Sequence, residues 1–103
     1  METEAVRYGI TVEALDSIIK TIRRQDKVKK LILFGSRAKN NFRKGSDIDI
    51  AIIADELSLS ELNQIRVDLS ELLLPYKVDV IDYSTISNKD IIEHINKVGV
   101  TIE

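Results

Sequence analysis

Residues 35–52 read GSRAKNNFRKGSDIDIAI, and this stretch decides the fold. It is entered from Val28–Phe34, an apolar run ending at Gly35 that reads as a buried strand. Glycine lets the backbone turn sharply and approach a ligand closely. Ser36 is placed to cap a short helical turn whose N–H groups face an anion. The polar, basic segment SRAKNNFRKGS then forms that turn and a loop. Residues 47–54, DIDIAIIA, follow as a second, β-branched strand.

Working outward, Thr11 caps a helix expected to run to about Gln25, with Leu15, Ile18, Ile19 and Ile22 along one stripe. Residues 1–10 read as a loose lead-in. Downstream, Ser58 and Glu61 have capping-box spacing, and Leu62, Ile65, Leu69, Leu72 and Leu73 recur at helical spacing until Pro75. Residues 77–82, KVDVID, read as a third strand. Ser87 and Asp90 again have capping-box spacing, before a last helix carrying Ile91, Ile92, Ile95 and Val98 and ending at Gly99. The expected order is α-β-turn-β-α-β-α, a small mixed α+β sandwich with the helices on one side of the sheet.

Side chains at i and i+2 of a strand share a face, so Asp47 and Asp49 converge at the start of the second strand. Asp79 lies between Val78 and Val80 in the third. Neighbouring strands are about 4.8 Å apart, so adjacency of these two would bring three carboxylates to one face. Such a cluster does not stay fully ionised without a neutralising cation. Oxygen-only ligands select hard cations, Mg²⁺ or Mn²⁺, which act with phosphates in two-metal sites. Gly35, Ser36 and the nearby Arg37, Lys39, Arg43 and Lys44 supply the phosphate side, with Arg37 the foremost cation. Taken singly, a DxD, a Gly-Ser or a basic run reads as turn, cap or solvated loop. Their conjunction carries the functional reading, because acids at strand positions are costly to bury without a purpose. His94 reads as a solvated surface residue, Tyr8, Tyr76 and Tyr83 as packing residues, and Asp82 as a strand-end residue.

Composition narrows the classes. A chain of 103 residues bounds one domain, 1–103. With 15 Lys and Arg against 17 Asp and Glu the net charge is −2, which argues against a basic groove and direct nucleic-acid binding. The absence of Cys excludes disulfides, zinc thiolates and cysteine nucleophiles, and a single His excludes sites needing two imidazoles. No apolar run approaches the roughly 20 residues of a membrane span, and the acidic, polar start does not read as a signal peptide. The expectation is a small cytoplasmic protein with no membrane association.

Gly35-Ser36, ten residues, then Asp47-x-Asp49 resembles the signature of the DNA polymerase β-type nucleotidyltransferase superfamily. The local form GSRA…GSDIDIAI is similar to that of its smallest members, the minimal nucleotidyltransferases (MNT), over about residues 11–99. The resemblance implies a palm-like fold. It also implies that Gly35 and Ser36 hold the nucleotide's phosphates, that Asp47 and Asp49 bind two Mg²⁺ ions, and that Asp79 helps bind metal and activates the acceptor hydroxyl. Minimal members typically act as antitoxins to HEPN proteins, moving AMP from ATP to a HEPN tyrosine, so a hetero-oligomer with such a partner is implied. Two alternatives remain open: a non-catalytic binding module that masks a partner, and a transferase acting on a small molecule such as an aminoglycoside. The second lacks the extra domain that would build its pocket.

Overall fold

A four-stranded mixed sheet carries the candidate site. The computed structural model describes residues 6–43 and 45–103, so Lys44 of the basic run and residues 1–5 of the lead-in lie outside the described residues. The chain runs β1 (Val6–Arg7), β2 (Ile10–Thr11), α1 (Val12–Ile22), β3 (Val28–Phe34), β4 (Ile48–Ala54), α2 (Leu59–Ser70), β5 (Val78–Asp82), a 3₁₀ turn (Tyr83–Thr85), α3 (Lys89–Val98) and β6 (Val100–Thr101). The sheet order is β5-β4-β3-β6, with β3 antiparallel to β4 and β6 and β4 parallel to β5 across the α2 crossover.

Alternation along the strands sorts the two faces. Leu31 and Leu33 of β3, Ile48, Ile50 and Ile52 of β4, and Val80 of β5 pack in one apolar cluster with Leu15, Ile18 and Ile22 of α1 and Leu62, Ile65 and Leu69 of α2. Each such aliphatic side chain, fully buried, contributes about 1.5–3 kcal/mol. Thr11 caps α1 by accepting from the Ala14 N–H at 3.1 Å, and Ser58 and Glu61 form a reciprocal capping box on α2.

Several expectations need correction. The helices do not all pack on one side: α3 lies across the opposite face, where His94 meets Phe34 and Gly99 approaches Ile32. Within the lead-in, β1 and β2 pair through a two-residue turn with Tyr8 at φ 58° and Gly9 at φ 71°. That is the left-handed pair a tight hairpin requires, supplied by Tyr-Gly rather than the usual Asn-Gly. Helix α1 ends at Ile22 instead of Gln25, with Arg23 as its C-cap. Helix α2 ends at Ser70, well before Pro75, and Leu73 swings out with φ 53° and 88% exposure. Asn88, not Ser87, caps α3, accepting from the Asp90 and Ile91 amides. Strand β6 was not expected, because two residues carry no periodicity. Among the described residues no helix is long and apolar enough to cross a membrane.

Candidate active site

The face opposite the α1–α2 core holds the polar residues. Asp49 of β4 stands directly opposite Phe34 of β3 on one side and Asp79 of β5 on the other. Strand parity puts Asp47 on the same face, two residues before Asp49 and just ahead of the strand. Asp47 is exposed, whereas Asp49 and Asp79 are half-buried. Burial, followed by the charges of Asp79 and then Asp47, pushes the Asp49 carboxyl up to about 6. Lys77 Nζ lies 3.8 Å from Asp79 Oδ1, an exposed pair that neutralises little of this charge.

The donor chemistry fits a hard divalent cation. The acids offer only oxygen, and a cation would offset both the burial of the Asp49 carboxylate, its largest penalty, and the smaller repulsion from Asp79 and Asp47. Among the described residues no three Asp, Glu or His side chains form a finished cage, so side-chain rotation must complete any coordination.

Gly35 closes β3 beside these acids. Its φ of 79° is left-handed, and a Cβ built on it would collide with Asp49 Oδ2. Glycine is needed here both for the turn and for the space the carboxylate fills. Residues 36–40 form a single turn, as the polar segment led one to expect, and it does not continue into a helix. It is closed by Lys39 N–H to Gly35 O at 3.2 Å and Asn41 N–H to Ser36 O at 3.1 Å, and Asn40 is left-handed at φ 61°. Ser36 is half-buried, and Lys39 and Arg43 are exposed.

Arg37 is not brought to the carboxylates. Its side chain is 2% exposed, and its guanidinium lies 5.0 Å from the Phe42 ring centroid and 5.1 Å from that of Tyr76. Nε and Nη2 donate to Ser46 O at 3.1 and 2.9 Å, and Nη1 donates to Tyr8 O at 2.9 Å. The cation pins the β1–β2 hairpin and the end of the loop that leads into Asp47. Replacing Arg37 with alanine is expected to cost about 3 kcal/mol or more, because a buried side chain is removed and two part-buried carbonyls lose its hydrogen bonds. Lysine should not restore the loss, since one ammonium cannot reproduce the fork. Urea midpoints test this: a wild-type midpoint in Arg37→Ala, with ATP affinity lost, would return the guanidinium to the phosphate.

His94 departs from the expected surface position: it is half-buried and accepts the Gly35 N–H at its Nε2, 3.0 Å away. Its ring stands edge-on to Phe34, with centroids 6.1 Å apart. The signal was available: His94 lies three residues after Ile91 and four before Val98, within the apolar stripe of α3. Together with Gly35, Asp49, Asp79, Ile81 and Ile91, it lines a cleft of about 660 Å³. Arg66 reaches the same cleft around the sheet edge, with Nη2 bonded to Val80 O at 3.1 Å.

A glycine turn at the tip of one strand, beside carboxylates on the next two, is an arrangement suited to handling a polyphosphate. The chain belongs to the polymerase β nucleotidyltransferase family: the family model described as "Polymerase beta, Nucleotidyltransferase" matches residues 16–103. Among its relatives is a Haemophilus influenzae protein named "Probable protein adenylyltransferase MntA". The two are 39% identical over 103 residues, covering 98% of this chain and 89% of the relative. Solved structures share the fold. One, a toxin–antitoxin complex with AMP-PNP, matches with TM-score 0.71 at 27% identity, over 85% of this chain and 71% of that chain. Another, a tri-AMPylated Shewanella oneidensis HEPN toxin in complex with MNT antitoxin, matches with TM-score 0.67 at 25% identity, over 88% of this chain and 70% of that chain.

Proposed function

We propose that the protein is an adenylyltransferase that moves AMP from ATP to a hydroxyl of a HEPN-domain protein, and so acts as that protein's antitoxin in the cytoplasm. The observation that carries this reading is the pairing of Asp49 with Asp79 across parallel strands, beside a Gly35 turn that has no room for a Cβ. It is supported by the adenylyltransferase name of the Haemophilus relative and by the AMPylated HEPN toxin in the Shewanella complex.

Asp47, Asp49 and Asp79 would hold Mg²⁺, with Mn²⁺ an effective substitute, and the metal would supply neutralisation of charge on the α-phosphate and pyrophosphate. Ser36 binds the triphosphate, and Gly35 keeps the backbone low enough for it to approach. Arg37 acts behind the site by fixing the loop that delivers Asp47. Asp79 faces the incoming hydroxyl and accepts its proton. The hydroxyl oxygen bonds to the α-phosphorus, the α-phosphorus–bridging oxygen bond breaks, and pyrophosphate leaves. Much of the rate gain comes from holding the two reactants in line, and a bound partner protein supplies the surface that orients the acceptor.

Mixing the protein with a HEPN-domain protein from the same genome, ATP and Mg²⁺ should add whole adenylyl groups to the partner by mass spectrometry. The additions should vanish with Asp47→Asn. Wild type and Asp47→Asn that silence the partner equally, with no mass gained, would favour the masking-module reading instead.

A further inference from the structure

The Gly35 amide is already engaged, and this changes which groups remain for a phosphate. We propose that His94 is a positioning residue of the nucleotide site: by accepting the Gly35 N–H it fixes the turn, and it leaves Ser36 as the turn's donor to the triphosphate. The inference rests on the nucleotidyltransferase reading of the site and assigns a role to a helix α3 residue within it.

The contact joins residues 59 positions apart, from α3 to the tip of β3. With Nε2 accepting, the neutral ring carries its proton on Nδ1. Phe34, the residue before Gly35, holds the ring edge-on, so ring packing and the hydrogen bond act on adjacent residues. Gly35 is the residue that needs such a hold. Glycine has the widest conformational freedom, and only at its present φ of 79° does the chain turn beside Asp49.

Ser36 presents the complementary picture. Among the described residues neither its amide nor its hydroxyl makes a hydrogen bond, while its carbonyl accepts from Asn41 at 3.1 Å. Both donors of Ser36 are therefore open to an anion, and the donor of Gly35 is not. Loss of the His94 acceptor frees the Gly35 amide, lets the peptide before it rotate, and moves Ser36.

Three full-length variants separate this role from simple packing. His94→Gln places a carbonyl oxygen near the position of Nε2. His94→Leu fills the space against Phe34 without an acceptor, and His94→Ala removes both. Two quantities are read: the dissociation constant of Mg²⁺-ATP by calorimetry, and the exchange rate of the Gly35 amide by NMR. His94→Gln should stay within about threefold of wild type in both. His94→Leu and His94→Ala should weaken ATP binding about tenfold and speed Gly35 exchange by a similar factor, the scale of one hydrogen bond. In transfer assays the same two variants should raise KM for ATP more than they lower kcat. His94→Leu with wild-type ATP affinity overturns the proposal, whether or not Gly35 exchange changes. Wild-type protein that binds no ATP overturns the reading of the whole site, and this role with it.

Discussion

Gly35→Val is expected to abolish ATP binding and to lower transfer by at least ~100-fold, the scale on which small misplacements cost activity. Two faults act at one atom. The backbone at Gly35 has φ 79°, which a β-branched residue adopts only with strain of about 1–3 kcal/mol. The first atom of any side chain also meets the Asp49 carboxylate. Because the collision begins at Cβ, Gly35→Ala should already show most of the loss. Pairing Gly35→Ala with Asp49→Ala should recover stability beyond the sum of the single changes, by about 1 kcal/mol or more, since the space in dispute is then vacant. Activity should not return. Purely additive stabilities, or a Gly35→Val protein that binds ATP normally, would separate this turn from the site.

Asp49→Asn should lower transfer on the order of 10³-fold and yet yield a more stable metal-free protein. Burial, with the charges of Asp79 and Asp47, lifts the Asp49 carboxyl from the ordinary 3.8 to about 6 in the fold. The native state therefore binds the proton more tightly than the unfolded chain. The stability this group contributes is complete below about pH 4 and is lost as pH rises through about 6. Metal-free wild type should melt at progressively lower temperature across that window, and Asp49→Asn should lack this part of the slope. The variant's advantage is then greatest at pH 7–8, and Mg²⁺-ATP should narrow it by stabilising wild type alone. Equal melting curves for the two proteins at pH 8 would mean that neither burial nor the charges of Asp79 and Asp47 penalise the Asp49 carboxylate.

The acids were legible because strand alternation is a local property: Asp49 and Asp79 each sit between apolar neighbours, Asp47 precedes Asp49 by two, and a period of two fixes the common face of Asp47 and Asp49. Adjacency of β4 and β5 was conditional from sequence, and the parallel register Asp49–Asp79 satisfies the condition. Arg37 was misplaced for a reason no local pattern reveals. Its second ring comes from Tyr76, 39 residues away in the chain, and its second carbonyl partner, Tyr8 O, comes from the β1–β2 turn. The contact pairing His94 with Gly35 spans 59 residues, and His94, expected at the surface, sits inside the helical stripe of α3. The two-residue strands β1, β2 and β6 are too short to show a period, and β6 is set by its distant pairing with β3.

The alternation of acid and aliphatic along β4 and β5 also bears on misfolding. A one-residue slip of β4 against its neighbours would turn Asp49 into the oily layer under α1 and α2 and expel Ile48, Ile50 and Ile52 to the wet side. Burying a lone carboxylate there is prohibitive, so the same side chains that give the surface its chemistry forbid the nearest wrong alignment. A chain with leucine at 47, 49 and 79 would lose that safeguard along with its activity. It would present a strand apolar on both sides, free to slide and prone to join other chains edge to edge.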